Sequence, residues 1–165
     1  MKARPRYAEN RVAEELNKIF LPLGYEKFVR IPTTGRTGPD LSINKTNLVI
    51  DVKSRLSWPE KYFQPDNYNQ DRGEFRLIKR SDHYIISLRY LHYLKETTPI
   101  KEQHWQSSAV AKWLDHMHKW TVENMPDTGI SALVIHKPGM PYCDARFVFY
   151  YSDIGKIIAL WRKEK

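Results

Sequence analysis

Apolar and polar residues alternate in two short runs in the first third of the chain, Leu41-Ser42-Ile43 and Leu48-Val49-Ile50-Asp51-Val52-Lys53. Alternating, β-branched runs predict strands, and the intervening Asn44-Lys45-Thr46-Asn47 is turn chemistry. We therefore expect a β-hairpin of residues 38–43 and 48–53, with Ile43 facing Leu48, Leu41 paired with Ile50 and Asp40 with Asp51. A three- and four-residue spacing of Val12, Ala13, Leu16, Ile19 and Phe20 predicts a helix over 7–21, ended by Pro22 and Gly24. Tyr25 to Pro32 predicts a first strand. Residues 104–124 predict a second long helix, with Val110, Trp113, Leu114, Met117 and Trp120 as its core stripe. Ile130–His136 and Arg146–Tyr151 predict two further strands, and Asp153 opens a closing helix through Trp161. Residues 54–103 break the regular pattern. Within them Ser81-Asp82 could cap a helix through Tyr93, or Tyr84–Leu88 could be a strand, and the pattern leaves both open.

The predicted hairpin has a chemical consequence. Directly opposed residues share a face with Cβ atoms about 5 Å apart. Side chains alternate with period two, so Lys53 joins Asp40 and Asp51, while Leu41, Ile43, Leu48, Ile50 and Val52 point into a core. Adjacent carboxylates repel unless something positive lies between them, and a hard divalent cation with oxygen ligands is the natural partner. The plain alternative is a surface hairpin whose Asp pair is relieved by Lys53. Opposed like charges are disfavoured without a use, which favours the site.

Gly38-Pro39-Asp40, ten intervening residues, and then Asp51-Val52-Lys53 resemble the signature of the PD-(D/E)XK nuclease superfamily. The Gly-Pro-Asp form before a short hairpin is most similar to Holliday junction resolvases of archaeal and phage type. The resemblance runs from about Tyr7 to Arg55, and beyond that it rests on element order. It implies an α/β fold with a restriction-endonuclease-like core: a central mixed sheet of about five strands flanked by helices, in αβββαβ order, with an insertion after the third strand. It also implies a Mg²⁺-dependent (or Mn²⁺-dependent) deoxyribonuclease that leaves a 5′-phosphate. Asp40, Asp51 and the backbone carbonyl of Val52 would hold the metal, and Lys53 would orient water or stabilise charge on the phosphate. The family's helix glutamate falls on Glu9, which lies one turn before Val12 and Ala13, with Glu15 as second choice; Glu9 would serve equally as an acid favouring the helix dipole. The expected substrate is branched duplex DNA and the expected state a homodimer, because two symmetric nicks need two sites. A restriction- or repair-type endonuclease of the same fold, and a non-catalytic DNA-binding protein, are the alternatives.

Composition agrees with these expectations without deciding among them. A chain of 165 residues fits one domain, 1–165, with 54–103 inserted within it. The net charge is +8, and residues 1–80 carry 16 Lys+Arg against 10 Asp+Glu, compared with 11 against 9 in the remainder. The positive half is thus the half with the predicted site, which favours a polyanionic partner. Arg36 in the Thr33–Gly38 loop, Arg55, Lys61 and Arg72 are the candidate nucleic-acid contacts, interleaved with aromatic residues. One cysteine, Cys143, excludes an internal disulfide. No secretory pattern and no membrane-length apolar run occur, so a cytoplasmic protein is expected. His116 and His118 are two apart on a predicted helix and cannot chelate together. His136 and Cys143 lack further zinc ligands at suitable spacing, and no Walker-type, dinucleotide or nucleophile-elbow motif is present.

Overall fold

The computed structural model describes residues 5–32, 38–63, 75–80, 82–103 and 108–162. Helix α1 (Pro5–Phe20) buries Val12, Ala13, Leu16 and Phe20 of the stripe its spacing predicts, with Ile19 half-buried and Ala8 added one turn earlier. It ends through a short 3₁₀ turn containing Pro22, closed by Gly24 at φ 92°, whose N–H donates to the Leu21 carbonyl. Glycine enters that left-handed region without a Cβ penalty.

The centre is an open sheet of six strands among the described residues: β1 (Leu48–Ser54), β2 (Leu77–Arg80), β3 (His83–Ser87), β4 (Ile100–Glu102), β5 (Ile130–His136) and β6 (Arg146–Tyr150). They lie in the order β1-β5-β6-β3-β2-β4. β1/β5 and β2/β4 are parallel, and the other pairs antiparallel. The fold is therefore α/β with a mixed sheet flanked by helices. Helix α2 (Ser108–Asn124) precedes β5, and a short α3 (Ile154–Ile158) closes the chain.

The two faces of the sheet bury different clusters. Leu48, Ile50 and Val52 of β1, with Ala132 and Val134 of β5, pack under α1. Leu133, Ile135 and Val148 pack under Val110 and Leu114 of α2. Every residue of β5 is buried, as expected for a strand covered on both faces. Truncating a leucine at such a position costs on the order of 2–5 kcal/mol.

Several expected elements take another form. Tyr25–Pro32 makes no regular strand; it is extended, with one bridge from Arg30 to Leu41. Its backbone makes two bonds to the Asp40 segment, Ile31 N–H to the Asp40 carbonyl at 2.8 Å and Ser42 N–H to the Val29 carbonyl at 2.9 Å. It is otherwise held by a helix side chain: Asn17 accepts the Phe28 N–H at 2.7 Å and donates to the Phe28 carbonyl at 3.1 Å. Residues 38–43 form no ladder with β1 either. Leu41 pairs with Arg30 and not with Ile50, and Asp40 donates its N–H to the Ile50 carbonyl at 2.8 Å. The Val52 N–H, which a paired strand would give to a backbone carbonyl, goes to Asp40 Oδ2 at 2.7 Å. A side-chain acceptor in that place interrupts the ladder, and Pro39 just before it has no N–H to offer. The turn itself is present, with Asn44, Lys45 and Asn47 all at positive φ. The 54–103 segment supplies β2, β3 and β4 to the sheet. Of the two options at 81–93 the strand is realised, as β3, which runs straight into a 3₁₀ helix, Leu88–Tyr93, with Ser87 at its N-cap position. The closing helix is a single short turn beyond a 3₁₀ segment rather than a run to Trp161. Val110, Leu114 and Met117 form the core stripe of α2, whereas Trp113 and Trp120 are only half-buried.

Candidate acidic site beside strand β1

Three acids from three parts of the chain meet at the free edge of β1. Asp51 stands in register with Leu133 and Lys53 with Ile135, both members of the α2-side cluster, so the two side chains face α2. Glu9 comes from α1, the opposite layer. Asp40 joins them from the strand edge. Anchored by the Val52 N–H, its carboxyl lies within hydrogen-bonding reach of both Asp51 and Glu9. A residue within a ladder could not do this, because it would present its side chain to one face only.

Glycine at position 38 is part of the delivery. Its φ of +143° suits a residue without Cβ, and a Cβ there would lie 3.2 Å from Trp120 Nε1. The α2 indole thus packs directly on the backbone two residues before Asp40.

The electrostatics follow from burial and crowding. Asp51 is 6% exposed, and desolvation with the neighbouring Asp40 carboxyl pushes its pKa up to about 8, against the opposing pull of Lys53. Lys53 Nζ lies 3.6 Å from Asp51 Oδ2. The same ammonium sits 4.0 Å from the centre of the Trp113 ring, a cation–π distance. Trp58 Nε1 donates to the Lys53 carbonyl at 3.1 Å and fixes the strand end. Glu9 is raised by burial first and by Asp40 next, with Arg30 opposing. Arg30 Nε donates to Glu9 Oε2 at 2.7 Å.

The sequence-predicted residues divide accordingly. Asp40, Asp51, Lys53 and Glu9 are brought together, and Val52 contributes its N–H. Glu15 is turned elsewhere and pairs with Lys18 at 3.2 Å. The first turn of α1 holds no acid, and Glu9 lies beyond it, bonded to Arg30. Arg55 and Lys61 are exposed on the α2 side, with the Arg55 guanidinium 5.3 Å from the Trp113 ring centre. Arg36 and Arg72 lie outside the described residues. Arg30, Trp58 and Trp113 are the members that sequence reasoning missed. Arg30 read as one polar position of a strand and Trp113 as core, and neither carried a signal pointing to the acids.

As placed, the acids form a chain, Glu9 to Asp40 to Asp51. No three His, Cys, Asp or Glu side chains among the described residues converge on one point as a metal cluster. The Asp40–Asp51 pair nevertheless fits a hard divalent cation. Both donors are carboxylate oxygens, and the crowding that holds Asp51 near 8 is what a bound cation would relieve. Glu9 can join only by loosening its contact with Arg30.

Ser54, next after Lys53, belongs to a separate clamp. His136 Nδ1 lies 2.8 Å from Ser54 Oγ, and its Nε2 lies 2.9 Å from the Met140 carbonyl. A carbonyl only accepts, so Nε2 carries the proton and Nδ1 takes the serine hydroxyl. Burial lowers the His136 pKa and keeps the ring neutral, stacked on Tyr142 at 3.7 Å. The third partner is a carbonyl rather than a carboxylate, so this is no Ser/His/Asp triad.

Compared with protein families, curated proteins and solved structures, the chain matches none. No helix among the described residues is long and apolar enough to cross a membrane.

Proposed function

We propose that this protein is a metal-dependent DNA endonuclease with a restriction-endonuclease-like core, acting on branched DNA as a Holliday junction resolvase does. The observation that carries the reading is Asp40 and Asp51 in mutual contact beside Lys53, with Glu9 touching Asp40 from the other layer. The chain order is compatible with it: helix α1, two extended segments, β1, then β2 to β4 as an insertion, helix α2, and β5 parallel to β1. The net charge of +8 suits a polyanion.

Asp40 and Asp51 would hold Mg²⁺ or Mn²⁺, with Glu9 completing the acidic set. When bound, such an ion supplies positive charge that polarises a phosphodiester and lowers the pKa of attacking water. Lys53, fixed by Asp51, Trp113 and the Trp58-anchored strand end, presents an ammonium where charge develops on the phosphate oxygens. Asp40 keeps its position through the Val52 N–H, so the acid pair is preorganised by backbone and not by side-chain packing alone.

The test is cleavage of a labelled four-way junction beside linear duplex, single strand and flap, each with Mg²⁺ and with EDTA. Paired symmetric nicks on the junction, lost in EDTA, are expected. Asp51→Asn should lower turnover by at least about 10²-fold while DNA binding stays intact or improves. Equal loss of binding and cleavage would count against the mechanism. Cutting of linear duplex would move the reading to a restriction- or repair-type enzyme. Tight binding with no cleavage of any form would leave a DNA-binding protein. The homodimer that two symmetric nicks require is checked by sedimentation against the 19.6 kDa monomer.

A further inference from the structure

The outer side of α2 carries a feature that the acidic site does not use. Two open concavities of about 490 and 350 Å³ lie side by side there, and Trp113 is a wall of both. The first is bordered by Lys112, His116 and Lys119, the second by Arg55 and Lys61. Lys112, His116 and Lys119 fall at i, i+4 and i+7, so they form one exposed stripe, its two lysines about 10 Å apart along the axis. Two acids lie close by, and both are engaged. Asp115 accepts the Tyr150 hydroxyl, and Glu60 pairs with Lys137 at 2.8 Å. The Tyr150 hydroxyl is neutral and leaves Asp115 its charge, so Lys112, Lys119, Arg55 and Lys61 stand against that one carboxylate. The border is net cationic around a half-buried indole that also touches Lys53 of the acidic site.

Resting on the nuclease reading, we propose that this stripe is the track of a single DNA strand leading to the acidic site. Arg55 and Lys61 meet phosphates on one side of Trp113, Lys112 and Lys119 on the other, and the indole stacks on an unpaired base between them. Phosphate contact from lysine and arginine positions a strand without reading its sequence, and base–aromatic stacking tolerates any base. Continuity with Lys53 selects the partner. A strand lying on Trp113 has its backbone next to the ammonium that Asp51 holds. A duplex would present stacked bases to the indole and could not use it, so the track favours nucleotides left unpaired where a branch point opens.

The test is binding by the full chain in EDTA, read as anisotropy of a labelled oligo-dT and of a duplex, with quenching of tryptophan fluorescence. Single strand should bind more tightly than duplex. Lys112→Glu with Lys119→Glu should weaken single-strand binding at least tenfold, and should flatten its log–log salt slope by about 1.4, for two phosphates at about 0.7 each. Trp113→Leu should lose most of the quenching and about five- to tenfold in affinity; Trp113→Phe, which keeps an aromatic face, should recover part of the affinity and controls for folding. Single-strand binding unchanged in the lysine pair variant, or duplex preferred by the wild type, would overturn the track. The outcome is separable from the nuclease reading. Loss of binding in the variants, with no cleavage by the wild type in Mg²⁺, keeps the track and removes the nuclease. Cleavage by the wild type with binding and cleavage untouched in the lysine pair variant does the reverse.

Discussion

Asp51 combines two unfavourable conditions, burial and a second carboxyl alongside, and its pKa near 8 is their joint result. A carboxyl whose folded pKa lies above its ordinary value of 3.8 holds its proton more tightly in the folded chain than in the unfolded one. Between about 4 and about 8 the folded state therefore binds the extra proton, and stability falls as pH rises through that window. In EDTA the wild type should lose about 1–3 kcal/mol more stability than Asp51→Asn between pH 5 and pH 8. The comparison cancels the opposite trend from His83, His92 and His136, whose pKa values burial lowers. Asp51→Asn should flatten that slope and gain stability at pH 8. Saturating Mg²⁺ should restore the wild type at pH 8 and leave Asp51→Asn unmoved. Thermal melts of both proteins under the four conditions check this, and a wild type that loses no stability relative to Asp51→Asn from pH 5 to pH 8 in EDTA would contradict the crowding. At this scale the sequence brought Asp40, Asp51 and Lys53 together through a hairpin register that the structure does not have; they lie close to one another by another route, the Val52 N–H holding Asp40. Trp113 was illegible because a tryptophan on a helix stripe reads as core whether it packs on leucine or on an ammonium.

Between residue and fold, the extended segment 25–32 is the element whose behaviour the pattern did not reveal. The apolar residues Tyr25, Phe28, Val29 and Ile31 suggested a strand, yet beyond the two backbone bonds at Val29 and Ile31 no ladder continues. Asn17, buried on α1, takes both backbone groups of Phe28. Nothing local in the sequence announces a contact between residues 17 and 28. The contact matters to the site, because Arg30, two residues on, holds Glu9 and bridges to Leu41 beside Asp40. Asn17→Leu should leave a buried N–H and carbonyl without partners, at a cost of about 2–4 kcal/mol. Chemical denaturation measures that loss, and a loss below about 0.5 kcal/mol would mean the segment is held by its apolar contacts. The elements that were legible, α1, α2, β5 and β6, bury a strongly periodic or continuous apolar run, so tertiary packing reinforces what the pattern already says. Those that were not, the hairpin register above all, turn on one side-chain acceptor, Asp40 Oδ2.

Across the whole molecule, stability is distributed unevenly, and the site lies on the boundary. β5 and β6 run through the middle of the sheet and are almost wholly buried, whereas β4 at one edge is exposed along its length. At the other edge β1 is paired in full to β5 on one side and, among the described residues, bonded on the other side by the Asp40 segment. The acid pair is thus assembled from one deeply held strand and one lightly held segment. Local opening requires little where few backbone bonds hold a segment, and approaches the global unfolding free energy in a buried central strand. Amide hydrogen exchange should accordingly be slowest in β5 and β6, with the β1 amides bonded to β5 close behind. The amides of Asp40 and Ser42, bonded to Ile50 and Val29, should exchange through a local opening many-fold faster. A cation shared by Asp40 and Asp51 cross-links the two, so Mg²⁺ well above its dissociation constant should slow the Asp40 and Ser42 amides by about tenfold or more. The β5 and β6 amides should slow only where their exchange already requires global unfolding. Equal exchange of the Asp40 segment with and without Mg²⁺ would mean that the two carboxylates do not share an ion. If the Asp40 segment exchanged as slowly as β5, it would belong to the core, and the site would be rigid before any metal arrived.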